Sequence, residues 1–210
     1  LEPDVVHARR SLGLDEKAIY IALLPGSRRQ EIKHLAEPML LAAKRILAQY
    51  PQARFITSHV NEHRYQQFHA YFKQYAPELP LTFFTRRSHD VMAASDVIVV
   101  ASGTATLEAM LFKKPMVITY RMSWFTEQLA KWLVKTPFAG LPNLLAGKLL
   151  VPELIQQAAT STAMADEVIN YLAHPEKITQ LKKEFTDLHL SLRADSLDET
   201  ADAILNIIKK

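Results

Sequence analysis

A turn of small residues follows a short apolar run near the middle of this 210-residue chain. The run covers residues 96–100, and Ser102, Gly103 and Thr104 separate it from a segment with helical spacing of apolar residues. This order is typical of a buried strand that leads into a helix. Backbone N–H groups and the positive end of a helix dipole then point to one place, which favours a phosphate group. Glu108 follows about one helical turn later, within reach of a ribose on such a phosphate.

A second turn, Pro25-Gly26-Ser27-Arg28, follows the apolar run at residues 19–24. Gly26 permits close approach of the backbone, Ser27 can donate its hydroxyl, and Arg28 can contact a phosphate through two N–H groups. The two turns together could hold a pyrophosphate. Neither turn matches the G-x-G-x-x-G or P-loop pattern, which weakens the case for NAD binding and for ATP hydrolysis. Small residues that only let the chain turn explain each turn equally well.

Other candidate residues have two interpretations. The Glu108 carboxylate could accept hydrogen bonds from two ribose hydroxyls, or it could only balance the helix dipole. Asn143 could form an Asx turn, cap a helix or contact a ligand. The eight histidines are scattered, and His59 and His63, four residues apart, have no third ligand at a suitable spacing. Surface histidines therefore explain the pattern better than a metal site.

The elements that must position these residues alternate between strands and helices. Apolar runs predict five strands, at residues 19–24, 54–58, 81–84, 96–100 and 115–119. Helical spacing predicts intervening helices at residues 8–12, 31–49, 62–75, 88–94 and after the 102–104 turn. Nearly continuous apolar strands that alternate with helices predict an α/β fold, a Rossmann-like doubly wound parallel sheet with helices on both faces. Ligands bind such sheets at the carboxyl ends of the strands, where both turns lie.

After residue 119 the pattern becomes helical. An amphipathic helix is predicted at residues 125–134, preceded by Trp124, and a loop at residues 137–143 follows it. A helical C-terminal tail is predicted at residues 152–157, 163–173, 175–190 and 197–208.

Composition sets broad limits on function. The absence of cysteine excludes disulfides, thiolate metal sites and cysteine nucleophiles, and it fits a cytosolic protein. The net charge of +3 suits an anionic ligand or an anionic membrane surface, although many soluble proteins share it. No run of 18 apolar residues and no signal peptide is visible in the sequence. Because the first residue is Leu1 rather than Met, we expect the chain to be part of a longer protein.

Several motifs occur in a fixed order between residues 23 and 147. They are LLPGSRxxEI at 23–32, MxxSD at 92–96, ASGTATLE at 101–108, PMV at 115–117, YRM at 120–122, LVK at 133–135 and LPNLLAG at 141–147. In this order and spacing they closely resemble the C-terminal half of lipid-A-disaccharide synthase. The resemblance runs from about residue 14 to the end of the chain, although the helical tail matches mainly in pattern.

The resemblance implies a two-domain glycosyltransferase of the B type with two Rossmann-like halves. Residues 1–210 would be its C-terminal nucleotide-sugar-binding domain, and the N-terminal acceptor domain would be absent. The enzyme of this family is a hexosyltransferase that joins UDP-2,3-diacylglucosamine to 2,3-diacylglucosamine 1-phosphate, giving lipid A disaccharide 1-phosphate and UDP. The resemblance implies no metal or other cofactor, because helix dipoles and basic side chains stabilise the leaving diphosphate.

Carried over residue by residue, the resemblance implies a UDP site. Its members would be Gly26, Ser27 and Arg28 at the diphosphate or sugar, Ser102, Gly103 and Thr104 as the diphosphate cradle, Glu108 at the ribose, and Asn143 near the nucleotide. The catalytic acid or base is unknown and would belong to the N-terminal half, so this piece alone would bind UDP weakly and catalyse nothing. The family usually has Gly where this chain has Arg86, in a loop that would flank the uracil.

The resemblance also implies partners and alternatives. The acylated substrates place the enzyme on the cytoplasmic face of the bacterial inner membrane, where residues 124–135 would face the lipid or instead pack within the protein. Exchange of the C-terminal helices, at residues 197–208, would form a homodimer, and no nucleic acid is implied. A related UDP-N-acetylglucosamine epimerase, a peptidoglycan glycosyltransferase and a non-catalytic binding domain are the alternatives. The segments at residues 120–122 and 141–147 argue against the first two.

Overall fold

A sheet of six parallel strands forms the centre of the protein in a computed structural model, which describes residues 3–121 and 138–208, with side chains up to residue 194. The strands are β1 (Ile19–Leu24), β2 (Ala53–His59), β3 (Leu81–Thr85), β4 (Val97–Ala101), β5 (Met116–Tyr120) and β6 (Glu153–Ile155). Their spatial order is β3-β2-β1-β4-β5-β6. This order reverses direction between β1 and β4, which makes that gap the topological switch point of the sheet.

The register places the ends of the two central strands beside each other. Strand β1 pairs with β4 from Ile21 opposite Val97 to Leu24 opposite Val100. The chain therefore leaves both strands at the same edge of the sheet, and the two turns singled out from the sequence begin there as neighbours.

Helices cover both faces of the sheet. They are α1 (Val5–Ser11), α2 (Arg29–Gln49), α3 (Glu62–Tyr75), α4 (Ser88–Ala94), α5 (Thr104–Leu111), α6 (Leu141–Ala146), α7 (Ser161–Ala173) and α8 (Pro175–Ile208). Helix α2 packs against α3 and α7, and α4 packs against α1. Ile21, Leu23 and Val99 are fully buried in the central strands, as a sheet covered on both faces requires. The predicted doubly wound α/β fold is confirmed.

The predicted helix at residues 152–157 is wrong. Residues Glu153–Ile155 form the edge strand β6, followed by a short 3₁₀ helix at Gln156–Ala158. Strand β6 pairs with β5, with Ile118 opposite Glu153. A strand of three residues is too short to show a period of its own, so its pairing with β5 decides its conformation.

Two other predictions change in the second half of the chain. The predicted loop at residues 137–143 contains the start of α6, which begins at Leu141 with Pro142 in its first turn. The two predicted tail helices, at 175–190 and 197–208, are one helix of 34 residues, because no Gly or Pro after Pro175 ends it. The predicted amphipathic helix at residues 125–134 lies outside the described residues. None of the described helices is long and apolar enough to cross a membrane.

Candidate functional site

A cleft of about 450 Å³ opens at the switch point, between the turns that follow β1 and β4. This volume lies within the range of about 300–1,000 Å³ found for small-ligand sites. Seven of the eight residues predicted for the UDP site line it, namely Gly26, Ser27, Arg28, Ser102, Gly103, Thr104 and Glu108. Buried apolar side chains from the core also line the cleft, among them Leu24, Met92 and Val100.

The turn after β4 has a backbone conformation that glycine alone adopts readily. Gly103 has φ 155° and ψ −164° at the N-cap of α5, and a Cβ there would meet no atom within 4 Å. The backbone conformation, rather than a lack of space, therefore requires glycine. Ser102 N donates to Thr119 O at 2.8 Å, and the buried Thr106 donates its hydroxyl to Gly103 O at 2.7 Å. These bonds hold the turn, and Thr104 and Ala105 at the start of α5, where N–H groups have no partner inside a helix, line the cleft.

The turn after β1 is organised around Glu31. Glu31 Oε2 accepts hydrogen bonds from the backbone N–H groups of Ser27 and Arg28, each at 2.9 Å. A Cβ at Gly26 would overlap this carboxylate. The close approach that Gly26 permits is therefore made by Glu31, and the carboxylate occupies N–H groups that a phosphate would otherwise use. The Arg28 side chain remains the part of this turn that can reach an anion, since it is 84% exposed.

A histidine that was predicted to be a surface residue contacts Glu108. His89 Nε2 of α4 lies 3.2 Å from Glu108 Oε2 of α5. Its ring also lies against that of Phe112, with centroids 5.7 Å apart. The contact joins α4 and α5, which both contribute residues to the lining of the cleft. It could not be found from spacing, because the two residues are nineteen positions apart in the sequence and a whole strand lies between them.

Asn143 is not brought together with the other seven residues. Its side chain is fully buried, and Nδ2 donates to Val151 O at 2.9 Å and to Glu153 Oε1 at 2.8 Å. Oδ1 accepts from the N–H groups of Leu150 at 2.8 Å and Val151 at 3.0 Å. These four bonds use the whole capacity of the amide. The geometry thus gives Asn143 a role in holding α6 against β6, and the N-cap of α6 is Gly140 instead.

Glu153 connects this framework to the cleft. Its Oε2 accepts from Ala139 N at 2.7 Å and its Oε1 from Gly140 N at 2.9 Å. Ala139 O in turn accepts the hydroxyl proton of Ser102 at 2.7 Å. The edge strand β6 therefore helps to hold the turn after β4, although β6 itself does not line the cleft.

Arg86, which stands where the resemblance led us to expect Gly, has an unusual backbone conformation. Arg86 has φ 56°, in the left-handed region that favours glycine. Its backbone N–H donates to His59 O at 2.8 Å, which ties the loop after β3 to the end of β2. The backbone at this position thus has a conformation suited to the Gly that the resemblance led us to expect, while the side chain is a cation.

His59 lies behind the cleft in an aromatic cluster. Its ring lies 5.1 Å from that of Phe68 and 6.2 Å from that of Phe83, measured between centroids. Burial lowers the pKa of His59 to about 4, so the ring is neutral at pH 7. The buried Nδ1 has no hydrogen-bond partner within the described structure. We therefore assign His59 to the core rather than to binding.

Other candidate places carry less chemistry. A larger groove of about 740 Å³ lies between the segment after α6 and helix α8, and it shares no lining residue with the cleft. Two of its charged residues form an ion pair, with Lys148 Nζ 2.6 Å from Glu184 Oε2. Among residues 3–121 and 138–208, no group of three His, Asp or Glu side chains is placed to hold a metal ion.

Solved structures support the fold. The C-terminal domain of a group 1 glycosyl transferase, LpcC from Francisella tularensis, matches with a TM-score of 0.58 and 14% identity over 90% of this chain and 94% of that domain. UDP-GlcNAc 2-epimerase from Neisseria meningitidis, solved with UDP-GlcNAc bound, matches with a TM-score of 0.57 and 12% identity over 90% of this chain and 48% of the epimerase. At these identities the likeness concerns the fold alone.

Sequence comparisons are more specific. The family model described as lipid-A-disaccharide synthetase matches residues 1–207. Lipid-A-disaccharide synthase of Cellvibrio japonicus is 43% identical over 98% of this chain and 53% of the relative. The enzyme of Saccharophagus degradans is 45% identical over 99% of this chain and 54% of the relative. The chain thus spans about half the length of these relatives, and it belongs to the lipid-A-disaccharide synthase family.

Proposed function

We propose that this chain is the UDP-sugar-binding half of a hexosyltransferase that joins UDP-2,3-diacylglucosamine to 2,3-diacylglucosamine 1-phosphate and releases UDP. The observation that carries the proposal is the cleft at the switch point. Leu24 and Val100 lie opposite each other, so the turns that follow them form facing walls. Family membership supports the choice of substrates.

We place the diphosphate on the turn after β4. Ser102 has already committed its hydroxyl proton to Ala139 O, so the donors for phosphate are the first N–H groups of α5 and the Thr104 hydroxyl. Arg28 adds a cation from the opposite wall. Its charge and the α5 dipole both stabilise the negative charge that develops on UDP as the glycosidic bond to the donor sugar breaks.

We place the ribose at Glu108. The residue lies one helical turn beyond Thr104 on α5 and lines the same cleft. A carboxylate accepts two hydrogen bonds from neighbouring hydroxyls, which suits the 2′,3′-diol of a ribonucleotide. In this arrangement Gly26 and Ser27 shape the wall through Glu31, and Asn143 supports the frame from outside the cleft.

The acceptor and the general base belong, in this proposal, to an N-terminal half that corresponds to the other part of the relatives' length. Because both substrates are acylated, we propose that the enzyme works at a membrane surface, on the cytoplasmic face of the inner membrane. We also propose a homodimer by exchange of C-terminal helices. Helix α8 supports this, because it packs through Leu181 and Phe185 and then continues to Ile208.

The test is a transferase assay on the full-length protein with both acylated substrates. We expect release of UDP together with formation of the acylated disaccharide 1-phosphate. Epimerisation of UDP-N-acetylglucosamine without transfer would support the related epimerase instead. If an intact fold shows no saturable binding of UDP in calorimetry, the chain is a non-catalytic domain and the proposal fails.

A further inference from the structure

The contact between His89 and Glu108 gives the proposed ribose site a second member. His89 Nε2 lies 3.2 Å from Glu108 Oε2, while 68% of the His89 side chain and 38% of the Glu108 side chain are exposed. Within the described residues, no other side chain is hydrogen-bonded to the Glu108 carboxylate. The orientation of this carboxylate therefore depends on His89.

Among the described residues, the neighbouring cations form no ion pair with Glu108. Arg87, next to His89 in sequence, forms an ion pair with Asp90, and Arg28 on the opposite wall forms one with Glu31. The His89 ring also contacts Phe112 at the end of α5. This contact favours an orientation of the imidazole in which Nε2 can donate to Glu108.

Holding the carboxylate has a consequence for binding. A glutamate side chain that is free to rotate loses that freedom when it grips a ligand, and the loss weakens affinity. With Oε2 partly satisfied by His89, Glu108 presents Oε1 and the remaining lone pair of Oε2 in one orientation. A vicinal diol can use both oxygens at once, whereas a 2′-deoxyribose has a single hydroxyl for them.

We propose that His89 is a positioning residue that fixes the Glu108 carboxylate for a ribose 2′,3′-diol, and so contributes to the preference for ribonucleotides over 2′-deoxyribonucleotides. The inference rests on the proposed function, since Glu108 must face the ribose. It adds to that function a residue that acts through Glu108 without touching the diphosphate.

The experiment measures the affinities of UDP and 2′-deoxy-UDP by calorimetry on the full-length protein. His89→Ala should weaken UDP binding about three- to tenfold, the range expected for ordering one side chain, and should change 2′-deoxy-UDP binding less than about twofold. His89→Gln, which keeps an N–H donor at similar reach, should restore the preference. His63→Ala is the matched control, because His63 is exposed on α3 and does not line the cleft.

Glu108→Gln separates the two proposals. It should reduce the preference for UDP at least as much as His89→Ala does, and the double variant should lose no more than Glu108→Gln alone. If Glu108→Gln lowers the preference and His89→Ala does not, the role of His89 is refuted and the ribose site stands. If Glu108→Gln leaves the preference unchanged, the proposed ribose site fails and the inference falls with it. Equal losses for both nucleotides in His89→Ala would also overturn the role in positioning.

Discussion

Replacement of Gly26 by alanine tests how the turn after β1 is built. Gly26 has φ 102°, and its missing side chain leaves room for the Glu31 carboxylate. An added Cβ would therefore meet two costs. The backbone would keep a conformation that L-residues avoid, and Glu31 would have to leave the N–H groups of Ser27 and Arg28.

The two costs have different origins. A positive φ in a residue with a Cβ costs about 1–2 kcal/mol. Loss of a side-chain cap at a helix N-terminus costs about 1–2 kcal/mol. The cost is no larger because the exposed N–H groups regain hydrogen bonds to water. We therefore expect Gly26→Ala to lower the free energy of unfolding by about 3 kcal/mol. Gly13→Ala should lower it by about 1–2 kcal/mol, since Gly13 has φ 66° but no atom within 4 Å of an added Cβ.

A double-mutant cycle with Glu31→Ala isolates the contact. Glu31→Ala alone should cost about 1.5 kcal/mol. Without the Glu31 side chain, an alanine Cβ at position 26 no longer overlaps a carboxylate. In the Glu31→Ala background, Gly26→Ala should therefore cost only the backbone strain of its positive φ, about 1–2 kcal/mol. Urea unfolding of the four variants, followed by circular dichroism, gives these values. Additive losses, or a Gly26→Ala cost equal to that of Gly13→Ala, would refute the structural role of Glu31 in this turn.

Three more expectations concern Arg28, His59 and Arg86. Arg28→Ala should weaken UDP binding, measured by calorimetry, about tenfold at low ionic strength and clearly less in about 0.5 M salt, because salt screens the exposed cation. Arg45→Ala, at the far end of α2, is the control and should have little effect. Burial lowers the pKa of His59 to about 4, so protons bind the unfolded chain first as the pH falls below 6.5. From about pH 7 to pH 5 the free energy of unfolding should therefore drop by about 2 kcal/mol, and His59→Phe should remove that part of the loss in urea titrations at both pH values. Arg86→Gly should leave stability unchanged or raise it by up to about 1 kcal/mol by relieving its positive φ, whereas Arg86→Ala, which keeps the strain, should not stabilise.

The central strands were predictable because burial on both faces requires a nearly continuous run of apolar residues, which is visible in the sequence. Strand β1 has its predicted bounds, and β4 is shifted by one residue from its own predicted bounds. The apolar runs also located the two turns, since each turn is the point where a run ends. Strand β6 left no such signal, because its three residues are half-buried and gain their conformation from β5.

The partners of the site residues were harder to predict. Glu31 belongs to the first family motif and follows Ser27 at helical spacing, so a capping role could have been inferred from the sequence. The pairing of His89 with Glu108 depends on how α4 and α5 pack, which no local pattern encodes. Asn143 looked like a loop residue, and only the pairing of β5 with β6 creates the environment that uses its amide.

The link from Glu153 through Ala139 to Ser102 has a practical consequence for truncated proteins. Among residues 3–121 and 138–194, those that line the cleft end at Glu108, so a recombinant piece that stopped after β5 would contain all of them. Such a piece would lack the carboxylate that holds Ala139, and with it the acceptor for the Ser102 hydroxyl. A piece that keeps this support for the turn after β4 therefore extends past residue 155, at least 47 residues beyond Glu108.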